Sequence, residues 1–153
     1  MTDPGEKGLD GVAICVNGRV ITSVDELESI LSEAKSLDVR FIFIQAKTSE
    51  HFDGDEIGTF IYGVKAFFAP ENLRPKTNEK MDNLIMLKDE IYKHSIDMTS
   101  APVLDLYYVC CGKWNEGNDL RARVTLDIQP LIDTQNFTSA VSYTHLTLPT
   151  TSR

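Results

Sequence analysis

The sequence is poor in residues that cross-link a chain or hold soft metals. Its three cysteines are Cys15, Cys110 and Cys111. An odd count, with two adjacent and no CxxC pair, encodes no disulfide framework, and reduced thiols are the expectation. His51, His94 and His145 lie far apart and offer no zinc-ligand spacing. No apolar run approaches the roughly 18 residues of a membrane span. The opening MTDPGEKGLDG has no signal-peptide pattern, so a cytoplasmic chain without membrane contact is expected. Neither GxGxxG nor GxxxxGK(S/T) occurs, which leaves the phosphate-cradling nucleotide folds without support. Basic residues are also in deficit: 15 against 23 acidic, a net charge of −8. Phosphate affinity comes from clustered Lys and Arg, so any nucleic-acid role must rest on a local site.

What remains describes an α/β domain. The 153 residues, 42% hydrophobic and 25% charged, suit one domain with one core. GVAICVNGRVI reads as two strands around Asn17-Gly18, a strong hairpin signal. Ser23 with Glu26 three residues on is a capping-box pattern. It opens a helix from about Val24 to Lys35, with Leu27, Ile30, Leu31 and Ala34 on one face. Val39 to Ala46 is nearly continuous β-former, the pattern of a central strand covered on both faces. Asp53 or Asp55 is placed to cap the next helix, whose core stripe is Ile57, Phe60, Ile61, Val64, Phe67 and Phe68. Pro70 ends it. Asn78 caps a longer helix to about Ser95, with Leu84, Leu87 and Ile91 inward. PVLDLYYVCC, from Pro102, is another strand. A helix from about Asn118 to Ile132 carries Leu120, Val124, Leu126 and Ile128. Hairpin, helix, central strand, two helices, strand and helix make a layered domain with a mixed sheet.

One segment of the central strand is chemically distinctive. It ends in Gln45-Ala46-Lys47, and residues two apart in a strand point to the same side. Sites in α/β sheets gather at such strand ends. Asp10 sits between glycines just before the hairpin, where the backbone can turn sharply. If these strands are neighbours, Asp10, Gln45 and Lys47 converge. A carboxylate and an amide oxygen suit Mg²⁺, and a nearby lysine can orient a water or stabilise a scissile phosphate. Taken by spacing alone, Q-x-K is a weak motif and more readily describes a strand leaving the core.

GLDGVAICVNG followed by FIFIQAKTS resembles the D…(E/Q)xK signature of the PD-(D/E)xK nuclease superfamily, in its Mrr-like restriction-endonuclease branch. Over almost all of residues 8–135 the chain resembles the amino-terminal region of the bacterial abortive-infection phage-resistance (AIPR) proteins. GLDGVAICVNGRVITSVDEL, VRFIFIQAKTSEHFDGDEIGTFIYGVKAFF and LYYVCCGKW carry that likeness. The resemblance implies a restriction-endonuclease-like core, here truncated, within a longer phage-defence protein. It implies a hydrolase that cleaves phosphodiesters of DNA or RNA with Mg²⁺ or Mn²⁺. Carried over by position, Asp10 and Gln45 are metal ligands and Lys47 is the catalytic lysine. Active members usually carry a further acidic residue on a helix before the hairpin, and only nine residues precede Asp10 here. Gln45 replaces the commoner acidic residue, so weaker metal affinity is expected. The alternative is a non-catalytic nuclease-like module that binds nucleic acid or protein.

Other features fit ordinary structural roles. HFDGDEIG, with Asp53, Asp55 and Glu56, lacks a calcium-hand pattern and reads as a solvated loop with capping acids. Trp114, Tyr107 and Tyr108 lack the basic neighbours of a base-stacking platform and read as packing. The end is different in kind: VSYTHLTLPT, from Val141, looks like an in-frame translation of a transposon-based sequencing adapter. On that resemblance residues 1–140 are the nuclease-like domain fragment and residues 141–153 are not native to it.

Overall fold

Asn17 and Gly18 take φ of 52° and 82°, as a two-residue type I′ turn requires. They fold β1 (Gly11–Val16) antiparallel onto β2 (Arg19–Ile21), with Val16 opposite Arg19. The Asn17 side chain also anchors the turn to the approach of the next strand. Its amide donates to the Ser36 carbonyl at 3.1 Å, and its oxygen accepts the Asp38 N–H at 2.7 Å. The computed structural model describes residues 9–47, 54–110, 120–135 and 139–146.

Ser23 caps α1 (Val24–Glu33), its hydroxyl accepting the Glu26 N–H at 3.2 Å. Glu26 reaches one residue further back than a capping box, to the Thr22 N–H at 2.9 Å. That donor, with the Thr22 and Ser23 hydroxyls, holds the Glu26 carboxyl below its usual pKa. β3 (Val39–Lys47) follows, then α2 (Gly54–Phe68), which stops ahead of Pro70. Asn78 caps α3 (Glu79–Lys93), accepting the Met81 N–H at 2.8 Å. β4 (Val103–Cys110), α4 (Leu120–Gln135) and β5 (Ser139–Leu146) complete the order.

The five strands form one mixed sheet in the order β2-β1-β3-β4-β5. β1 is antiparallel to β2 and β3, whereas β3 and β4, and β4 and β5, run parallel. β3 is central, as its composition suggested. The sheet is thus mixed α/β, flanked by helices. β5 was not among the expected elements, and it includes most of the segment that resembles an adapter translation. That resemblance concerns where the residues come from; in this chain they pair with β4 along its length.

The register shows how the core is built. Phe41 lies level with Ile14 and Leu104, and Phe43 with Val12 and Leu106. This row faces the helices. Phe41 meets Phe68 edge-on at 5.1 Å between ring centroids, and Phe43 meets Phe67 at 5.2 Å. Tyr92 of α3 stacks on Phe41 at 6.1 Å, and Phe60 meets Tyr108 at 5.9 Å. Each such pair contributes about 0.5–1.5 kcal/mol beyond the burial of its area. The whole expected stripe of α2, from Ile57 to Phe68, is buried.

The expectation that β3 is covered on both faces is corrected. Among the described residues the helices pack on the face bearing Phe41 and Phe43. On the other face Ile44 is 38% exposed and the Arg40 side chain 48%. The apolar run misled because Ile42 and Ile44 are β-branched and favour a pleated sheet without a covering layer. Ile44 instead lies over the bare backbone of Gly11, whose added Cβ would stand 3.7 Å from the Ile44 Cβ.

The inward stripe of α4 is also corrected. Leu126 is 73% exposed, while Ile128 and Leu131 are buried. Pro130 lies inside this helix and has no N–H to offer the preceding turn. The buried face carries Ile128 and Leu131, with Ile132 partly buried beside them. The side chains of Leu120 and Val124, like the Asp53 cap and Trp114, lie outside the described residues.

The one-sided core makes a direct prediction. Phe43→Ala should cost about 3–5 kcal/mol, the range for a buried aromatic. Ile44→Ala, one residue along, should cost less than about 1 kcal/mol. Urea denaturation of both variants checks this, and equal losses would mean that the Ile44 face is covered in solution.

Candidate functional site

The site begins at a bend. Asp10 lies one residue before β1, and its backbone N–H donates to the Ile44 carbonyl at 2.9 Å. Its carboxylate oxygen Oδ2 accepts the Ala46 N–H at 2.7 Å. Asp10 is therefore clipped onto the segment Gln45-Ala46-Lys47 by a charge-assisted bond to the middle residue. Gly11 follows it, and a Cβ there would lie in ordinary contact with Ile44, at 3.7 Å, so the approach of Asp10 is set by these backbone bonds. The sequence expectation that Asp10 meets this strand end is met.

Gln45 continues the inward row of Phe41 and Phe43, level with Tyr108 on β4. It is 5% exposed, and its Oε1 is buried with no hydrogen-bond partner. An unpartnered buried amide oxygen costs about 1–3 kcal/mol, so the core tolerates an acceptor that it does not satisfy. Lys47 stands two residues further along β3, level with Cys110. Its side chain lies outside the described residues, as do Thr48, Ser49 and His51. All three candidates thus belong to one corner of the sheet, at the carboxyl end of β3 beside its parallel neighbour β4. Open α/β sheets commonly place binding crevices there.

The donor chemistry fits a hard cation in one respect. The orphaned Gln45 Oε1 and the Asp10 carboxylate are both oxygen donors, and Mg²⁺ takes one or two carboxylates with water and phosphate completing its shell. The charge is low, since an amide adds none. Among the described residues there is no group of three or more His, Cys, Asp or Glu side chains able to hold a metal.

Two further polar clusters were not singled out from the sequence. Lys88 of α3 is buried, 2.8 Å from Asp89 and 5.8 Å above the rings of both Phe67 and Phe68. Arg74 joins it from the loop, donating to the Ala69 carbonyl at 2.8 Å at the end of α2. Burial pushes the Lys88 pKa down, and Asp89 only partly offsets this. The signal was present: Lys88 stands four residues after Leu84 and three before Ile91, on the inward stripe. On the opposite face of the sheet, Arg40 pairs with Asp105. Asp105 is buried with its Oδ1 unpartnered, and the pair raises the Arg40 pKa. A lone acid between Leu104 and Leu106 was its sequence signal.

No helix among the described residues is long and apolar enough to cross a membrane. No family model, curated protein or solved structure matches the chain.

Two buried polar groups yield stability predictions. Gln45→Met removes the orphaned oxygen at similar volume, so the urea midpoint should rise by the equivalent of about 1 kcal/mol. A fall of that size would show that the amide has partners in solution. Lys88→Met should leave stability within about 1 kcal/mol or raise it, because the charged form is already disfavoured. The wild-type protein should correspondingly gain stability as pH rises towards the ordinary lysine pKa. The folded chain there releases a proton that the unfolded chain still binds. Denaturation midpoints across alkaline pH read this slope, which Lys88→Met should flatten.

Proposed function

We propose that the chain is a nuclease-like domain of an anti-phage abortive-infection protein, acting as a metal-dependent phosphodiesterase on nucleic acid. The observation that carries this reading is the bond from the Ala46 N–H to the Asp10 carboxylate, at 2.7 Å. It draws the acid to the Gln45-x-Lys47 strand end, as the resemblance to the PD-(D/E)xK superfamily implies. The unpartnered Gln45 oxygen adds support, because a buried acceptor left without a donor suits a ligand.

In this reading Asp10 and Gln45 hold Mg²⁺ or Mn²⁺, which when bound neutralises charge at the scissile phosphate. Asp10 is held in place by the strand's own backbone. The apolar body of β3, packed on the phenylalanine cluster, anchors the strand end that carries Gln45 and Lys47. Lys47 orients a water or faces the phosphate charge. Since the chain is acidic overall, at −8, substrate affinity depends on this corner and not on a broad basic surface.

A second reading also has an observation behind it. Gln45 is only 5% exposed, and one carboxylate is little charge for a metal. A non-catalytic nuclease-like module, kept for binding or assembly, fits those facts.

Incubation of the full chain with labelled DNA and RNA, with Mg²⁺ or Mn²⁺, separates the two. Metal-dependent cleavage that falls by at least about a hundredfold in Lys47→Ala is the expected result. Binding without cleavage in both proteins would favour the module. Equal cleavage by both would remove Lys47 from the site.

A further inference from the structure

A pocket opens between α2 and α3, one wall of it Leu9, the residue before Asp10. Its volume is about 300 Å³, the lower end of the range for small-molecule sites. Leu9, Phe67, Met81 and Ile85 line it, all buried residues of the core. Ala66 keeps the α2 wall low, and the loop before α3 brings Lys76 to the rim. Lys76 is exposed and makes no ion pair with any described residue. Thr77, also at the rim, donates its hydroxyl to Asp82.

We propose that this pocket binds a small amphipathic anion, its apolar body against Leu9, Phe67, Met81 and Ile85 and its acidic head at Lys76. An apolar body gains by leaving water itself and by covering Tyr62, a further lining residue that is 58% exposed, at about 25 cal/mol per Å² removed from water. Of the polar groups at the rim, the Thr77 hydroxyl is already committed to Asp82. The space equals the liquid volume of roughly ten waters, enough for a short alkyl chain and too little for a peptide helix. Lys76 selects the sign of the head group: a carboxylate meets an ammonium with no ion-pair partner among the described residues, whereas an amine meets a like charge. The proposal is independent of nuclease activity, since none of Asp10, Gln45 and Lys47 lines the pocket.

The test is methyl NMR on the full chain, following Met81 and Ile85 during titration with octanoate, octanol and octylamine. These probes share an alkyl body and differ in the head. Octanoate should shift both methyls and bind about tenfold more tightly than octylamine, with octanol between them. Lys76→Glu, on an exposed loop, should reverse that order and leave the fold intact. Ala66→Phe should fill the space and abolish the shifts, with circular dichroism confirming that the helices persist. Equal affinity for all three probes would overturn the proposal. So would shifts confined to methyls outside the pocket, or an order unchanged by Lys76→Glu.

Discussion

Four phenylalanines hold the architecture in place. Phe41 and Phe43 stand on alternate residues of β3 and meet Phe67 and Phe68 of α2 edge-on. Strand residues alternate between faces, so this contact fixes the rotation of every other β3 side chain. It turns Gln45 inward and leaves Arg40 and Ile44 on the opposite face. A slip of one residue would expose both rings and bury an arginine, so the register is strongly determined. The position of the candidate site follows: where β3 stops, Asp10 finds the Ala46 N–H.

The two faces of the sheet between them bury several polar groups that the protein does not fully satisfy. Gln45 Oε1, the Tyr92 hydroxyl and Asp105 Oδ1 are buried without partners. Burial alone raises the Tyr92 pKa, so its phenol stays neutral. Two of the three lie on β3 or β4, the strands whose carboxyl ends form the candidate corner. Interiors usually satisfy such groups, and those left over tend to mark places where stability has been traded for another role.

Much of this was legible in the sequence because the signals were local. Asn17-Gly18 requires a turn whatever surrounds it. Ser23 and Asn78 announce their helices through side chains that bond three residues ahead. The α2 stripe repeats often enough to fix its inward face. The errors arose where a tertiary arrangement decided the outcome. An isoleucine at position 44 satisfies a strand whether or not a helix covers it. Leu126 looks as apolar as Ile128, and only the packing of α4 against α2 and β5 separates them. Asp10 and Gln45 could be matched because both lay at strand ends. The Arg40–Asp105 pair, 65 residues apart in sequence, required knowledge of which strands were neighbours.

The mixed sheet also gives its two halves different assembly costs. Pairs between β1 and β3 draw together from the turn end, Val16 with Val39 first and Gly11 with Ile44 last. Each closes only a little more loop than the one before. In the parallel half, every β3–β4 pair is separated by the same long crossover containing α2 and α3. The entropic cost of that loop falls almost wholly on the first pair, and the later pairs follow at small increments. The half that joins Asp10 to β3 therefore draws on short-range chain statistics. The half that sets Tyr108 beside Gln45 depends on one distant encounter.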